Sequence, residues 1–255
     1  MFIRSSCVAA VLAAAAFAQN TWIVNAAGGL GVHFLDLPTA VAAPAVVDGD
    51  TILVHTGPTG EGATPFVTSK GVTIVGVGGQ VPIYTTFANQ IAIVALPAGR
   101  TFRLVGFTRP TDGELNVLVQ GCAGQVHLED LHARSPDLFF PTWPGIVVDQ
   151  CASVTLRDVE NFGTPAVQVN LSTVTLVSCR LGLTSIGVGG GTGLGATNAT
   201  VHVAQPWFEP AWAQHALSAT NSVVRISGDG GARLAGGQYA VNGAPIATAG
   251  STTVT

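Results

Sequence analysis

Short apolar-x-apolar segments separated by tight turns predict an all-β fold, a single-stranded right-handed parallel β-helix of about eight coils with a short N-terminal capping helix. Three observations carry this expectation. Hydrophobic residues make up 47% of the 255-residue chain and charged residues 9%, where globular domains carry about 25% charged residues. Glycine is abundant, at 32 residues, as a chain of many turns requires. An apolar pair then recurs along the chain: Trp22/Val24, Ile52/Val54, Val72/Ile74, Phe102/Leu104, Val126/Leu128, Val154/Leu156, Val174/Leu176, Val201/Val203 and Val224/Ile226. The starts lie about 20 to 30 residues apart, the period of a solenoid.

A second apolar pair precedes most of these turns, as in Ile91/Ile93, Val117/Val119, Ile146/Val148, Val167/Val169, Leu194/Ala196 and Leu217/Ala219. Period-two alternation marks a strand with one buried face, so each repeat holds at least two strands. One repeat cannot bury its apolar face alone; stacked repeats form a continuous core. Residues Phe34 to Val47 differ and read as a short helix or turn rich in Ala and Val, with Asp36 or its neighbour as a cap and Pro38 in the first turn. Asp48-Gly49-Asp50 then turns the chain into Thr51-Ile52-Leu53-Val54.

The first residues have their own logic. Arg4 supplies a positive charge, Cys7 to Phe17 is apolar, and Ala16-Phe17-Ala18 is a small-x-small cleavage site. The expected organisation is a signal peptide over 1–18, a first strand and cap over 19–50 and the β-helix over 51–255. The apolar stretch is shorter than the roughly 20 residues of a membrane span, and none is expected later. Export implies a secreted, periplasmic or cell-surface protein. Three cysteines follow the cleavage site, Cys122, Cys151 and Cys179. Cys122 and Cys151 match in position and form either a bridge between neighbouring coils or a buried small-residue stack. The net charge is −4, Lys70 is the one lysine, and no basic run exists, which excludes a nucleic-acid partner. Gln238 to Thr255 carries no charge, so the β-helix is expected to be part of a longer repeat protein or to self-associate through its C-terminal coil.

An Ala-rich apolar helix, then Gly49-Asp50-Thr51-Ile52-Leu53-Val54, then irregular Val-x-Leu coils resembles the pectin-lyase-like right-handed β-helix superfamily. The resemblance implies a fold shared by polysaccharide lyases, polygalacturonases, epimerases, adhesins and surface proteins. The Asn-Thr-Asp, Asp-Asp, Gly-His-Gly and Arg-x-Lys strings of polygalacturonases do not occur here.

The repeat register collects Glu129, Asp130, His132, Arg157, Asp158, Glu160 and Arg180 on three neighbouring coils. Three readings compete. The cluster is a charge-compensated outer face, with Glu129 over Arg157 and His132 over Glu160 over Arg180. Or Asp130, Asp158 and Glu160 bind calcium, a hard cation that takes several oxygens. Or Arg157, Asp158, Glu160, Asp130 and His132 perform acid–base catalysis on a uronic acid or glycoside. Aromatic residues flanked by proline, Phe140, Trp143, Trp207 and Trp212, lie in long coils. They either seal those loops or stack on sugar rings. Together these features favour a secreted or surface-exposed protein that contacts a polysaccharide or a protein without catalysis. The alternatives are a polysaccharide lyase or glycosidase and a structural repeat of a larger envelope protein.

Overall fold

The structure, a computed structural model, describes residues 19–57, 63–86, 88–112, 115–134, 144–163, 165–182, 192–205, 207–208, 215–227, 231–233, 239–241, 244–249, 251 and 253–255. The chain is a right-handed parallel β-helix built from two stacked parallel sheets. Six regular turns each join one strand of the second sheet to one strand of the first. They are Ile91–Val94 with Thr101–Asp112, Val117–Gln120 with Gln125–Arg134, and Ile146–Asp149 with Ser153–Phe162. Val167–Asn170 with Thr173–Val177, Thr192–Thr197 with Thr200–Ala204, and His215–Thr220 with Val223–Ser227 complete the set. The expected eight coils thus resolve into six regular turns with irregular ends. Strands Thr21–Asn25, Thr51–His55 and Thr73–Val77 extend the first sheet at the N-terminal end, with the two-residue Val67–Thr68 opposing them. At the far end, Ala244–Ala249 continues the second sheet in parallel, while Gly231–Arg233 and Tyr239–Val241 add to it antiparallel.

The apolar pairs form the core because every second side chain of a strand points inward. In the second sheet, Ile91, Val117, Ile146, Val167, Leu194 and Leu217 stack in one column, in the register expected. In the first sheet, Leu104, Leu128, Leu156, Leu176, Val203 and Ile226 do the same. The two earliest turns are shifted against the repeat alignment. Ile52 pairs with Ile74, and Val54 with Gly76, so Trp22 and Ile52 join the Leu104 column. A slip of two residues keeps the same face inward, which is why the alternation did not reveal it.

The predicted cap forms as helix α1, Leu37–Ala42. Asp36 accepts from the Thr39 backbone N–H at 2.7 Å, and Pro38 lies in the first turn. Leu37, Ala40 and Val41 are buried against the core.

Both corners of the coil rest on residues in the left-handed region. Gly106, Asp130, Asp158, Ser178 and Gln205 form one row, with φ from 50° to 79°. Ala95, Gly121, Gln150, Leu171, Asn198 and Asn221 form the other, with φ from 46° to 64°. Such a conformation costs an ordinary L-residue about 1–2 kcal/mol and suits Gly, Asn and Asp. Leu171 is the conspicuous misfit, with φ 46° and a side chain 58% exposed. Leu171→Asn is therefore expected to stabilise the protein by about 1 kcal/mol in a denaturant titration. A loss of stability would mean that Leu171 serves a contact outweighing its strain.

Candidate functional site: a charged column on the outer face

The first sheet turns its alternate side chains outward, and the charged residues gather there. Register pairs Glu129 with Arg157, His132 with Glu160, and Glu160 with Arg180. Asp130 and Asp158 occupy the corner between them, one turn apart. The seven residues of the expected cluster thus share one side of three neighbouring turns.

Glu160 meets its register partners in side-chain contact, whereas Glu129 does not. Glu129 engages Arg103 of the preceding turn, with Nη2 to Oε2 at 2.6 Å and Nε to Oε1 at 3.2 Å, rather than Arg157. That bidentate bond from Arg103, with a smaller Coulombic contribution from Arg157, holds the Glu129 carboxyl below the ordinary carboxylate range against the opposing effect of burial. Arg103 is raised in turn, chiefly by its bond to Glu129. Glu160 has both oxygens occupied: Arg180 Nη1 donates to Oε1 at 2.8 Å, and His132 Nδ1 lies 3.4 Å from Oε2. The other imidazole nitrogen of His132 is 3.1 Å from Asp130 Oδ1, which also accepts from Gln80 Nε2 at 3.1 Å. His132 therefore links two carboxylates. Arg157 has no carboxylate within ion-pair distance among the described residues. Arg103 was missed in the sequence because it faces Glu129 diagonally across the turn. It is the x residue of Phe102-Arg103-Leu104, in register with His127. That outward position in the repeat was the available signal. Burial lowers His127, and Arg103 and Arg157 push it further down against the attraction of Glu129.

The acids divide by cause. Asp130 and Asp158 stand where the backbone requires φ near 50°, and a short polar side chain suits that conformation. Their presence is explained by the corner before any chemistry is invoked. Among the described residues no three His, Cys, Asp or Glu side chains gather in a cluster that would hold a metal ion. Asp130 faces Gln80 and His132, and Glu160 faces His132 and Arg180.

Of the aromatic candidates, Phe140, Trp143 and Trp212 lie outside the described residues, as does the expected signal peptide. Trp207 is placed by its backbone: the strand Trp207–Phe208 pairs with Arg180–Gly182, with Trp207 opposite Arg180. In register after the corner stand Thr108, His132, Glu160 and Arg180, with the backbone of Trp207 next in line. This row unites at one end two features that the sequence shows far apart. Its described charged side chains reach water, with Arg180 46%, His132 35% and Glu160 24% exposed, and the neighbouring corner residue Asp130 is 52% exposed.

Among the described residues, no helix is long and apolar enough to cross a membrane. Comparison with known families, with curated proteins and with solved structures finds no match.

Proposed function

We propose that this protein is a secreted or surface-exposed β-helix whose outer face contacts an extracellular polysaccharide without transforming it. The supporting observation is the row Thr108, His132, Glu160 and Arg180, with the backbone of Trp207 next in line. A row of hydroxyl, imidazole, carboxylate and guanidinium groups, spaced about 4.8 Å apart, offers repeated hydrogen bonds along a polymer. Trp207 occupies the next register position, and tryptophan is a residue type on which sugar rings stack. The polarity of the acids favours binding over catalysis. A glycosidase needs one carboxyl held protonated, whereas Glu129 is pushed the other way by its bond from Arg103. The resemblance to pectin-lyase-like proteins supports a carbohydrate ligand in the same sense. A lyase reading draws on one feature, Arg157 beside Asp158, without an ion pair among the described residues and a base candidate for proton abstraction from a uronate.

The test is a panel of neutral and acidic polysaccharides, scored for binding and for new reducing or unsaturated ends, with and without calcium. Retention by at least one polymer with no new ends is expected. Trp207→Ala should weaken that retention at least tenfold, about 1.4 kcal/mol, and Arg180→Ala should weaken it in the same direction. Release of unsaturated ends abolished by Arg157→Ala would establish the lyase instead. No retention by any polymer would end the glycan reading.

A further inference from the structure

Outside the charged face, the groups most able to do chemistry are the cysteines. All three described cysteines are free and buried. Cys179 stands alone in an inner column, its Sγ 3.4 Å from the Leu156 carbonyl, and burial raises its thiol to about 11. Cys122 and Cys151 are different. Each is the small residue that follows a left-handed corner, Gly121 and Gln150. Register pairs Asp149 with Gln120, and the Ala152 N–H donates to the Cys122 carbonyl at 2.9 Å. The two cysteines therefore sit one above the other in adjacent turns. The same column continues through Ser172, which accepts from the Cys151 N–H at 2.9 Å. Their thiols point alike, each toward a carbonyl of the preceding turn: Cys122 Sγ to Ile93 at 3.5 Å, Cys151 Sγ to Val119 at 3.4 Å. Adjacent turns lie about 4.8 Å apart, inside the Cα separation of about 4.4–6.8 Å that a disulfide spans.

We propose that Cys122 and Cys151 are a disulfide site, closed by thiol–disulfide exchange with a low-molecular-weight disulfide to give a covalent link between two successive turns. This inference is independent of the glycan reading. The Cys122 thiolate attacks one sulfur of the small disulfide, forming a mixed disulfide and expelling one thiolate. The Cys151 thiolate then attacks the Cys122 sulfur and expels the second. Two protein thiols are oxidised by two electrons, and one small disulfide is reduced to two thiols. The stacked pair is unequal: the neighbouring Cys151 sulfur holds the Cys122 thiol down, to about 7, while Cys122 and burial push Cys151 up. Side chains only 1% and 3% exposed make the reaction slow until the corner opens. Cys179, which no second cysteine accompanies in its column, stays reduced.

The experiment incubates the purified protein with oxidised glutathione in urea below the unfolding transition. Acid quenching, denaturation, alkylation and peptide mapping follow. The expected result is a peptide pair cross-linked through Cys122 and Cys151, lost on reduction, with Cys179 alkylated. The cross-linked form should melt at a higher temperature than the reduced one. Cys151→Ser should instead trap glutathione on Cys122. Alkylation of both cysteines in the wild type, a bridge to Cys179, or a glutathione adduct on Cys122 that Cys151 leaves unresolved would each overturn the proposal.

Discussion

Phe107→Ala is expected to destabilise the protein by about 3–5 kcal/mol. Phe107 is fully buried and is the first inward residue after the left-handed Gly106. It stacks between Val81 on one turn and Leu131 on the next, and Val159 continues the column. Truncation removes the apolar transfer energy of a phenyl ring and leaves a cavity in a column that cannot collapse. The main-chain ladders on both sides hold the turn spacing fixed. Urea denaturation of the two proteins measures the difference. A loss under about 1 kcal/mol, the size expected of a surface site, would mean that this corner is loosely packed.

Asp50→Ala is the second large effect, a loss of about 3 kcal/mol. Asp50 is 1% exposed. Its carboxylate accepts from the Asn20 N–H at 2.8 Å, Trp22 Nε1 at 2.8 Å and the Val47 N–H at 3.0 Å. It thereby ties the first strand and the segment after α1 to the entry of the second strand. Alanine leaves three donors without their acceptor, each costing about 1–3 kcal/mol where water does not replace it. Burial raises the Asp50 carboxyl, but the bonds from Val47, Trp22 and Asn20 outweigh burial and hold it below its ordinary 3.8. A depressed carboxyl contributes stability that is fully present above its unfolded value and lost as pH falls through its folded one. The stability gap between wild type and Asp50→Asn should therefore shrink as the solution is acidified below the ordinary carboxylate value. A gap that stays constant through that range would show that the charge does not matter.

The sequence conveyed the β-helix because its core is periodic. Val117/Val119, Ile146/Val148 and Val167/Val169 pair in the expected register without exception. Where periodicity weakened, so did the reading. The Ile52 turn slipped by two residues, a change that alternation cannot detect. The corners were hidden because Ala95, Gln150 and Leu171 hold positive φ with side chains that do not advertise it. The same blindness shaped the reading of the charged cluster. Asp130 and Asp158 stood out as candidate chemistry, yet the corner geometry already accounts for an aspartate at both positions. Placing the acids on one side needed only the repeat. Finding that Arg103, not Arg157, binds Glu129 needed side-chain directions. Trp207 falls opposite Arg180 by the same register that pairs Val177 with Ala204, so extending the repeat alignment by one turn places it.

The outer face brings together residues distant in sequence because turn stacks upon turn. The most direct test is a spin-label distance between Arg103→Cys and Arg225→Cys. These exposed positions join through His127, Thr155, Thr175 and His202 in successive registers. Both lie on the outer face, and the three described cysteines, Cys122, Cys151 and Cys179, are buried away from labelling. Five steps of about 4.8 Å place the two backbones about 24 Å apart. A stack of parallel turns gives one narrow distance distribution near that value, broadened by the label arms. A dominant distance beyond about 35 Å, well past what five rungs of this spacing span, or no defined distance at all, would contradict it.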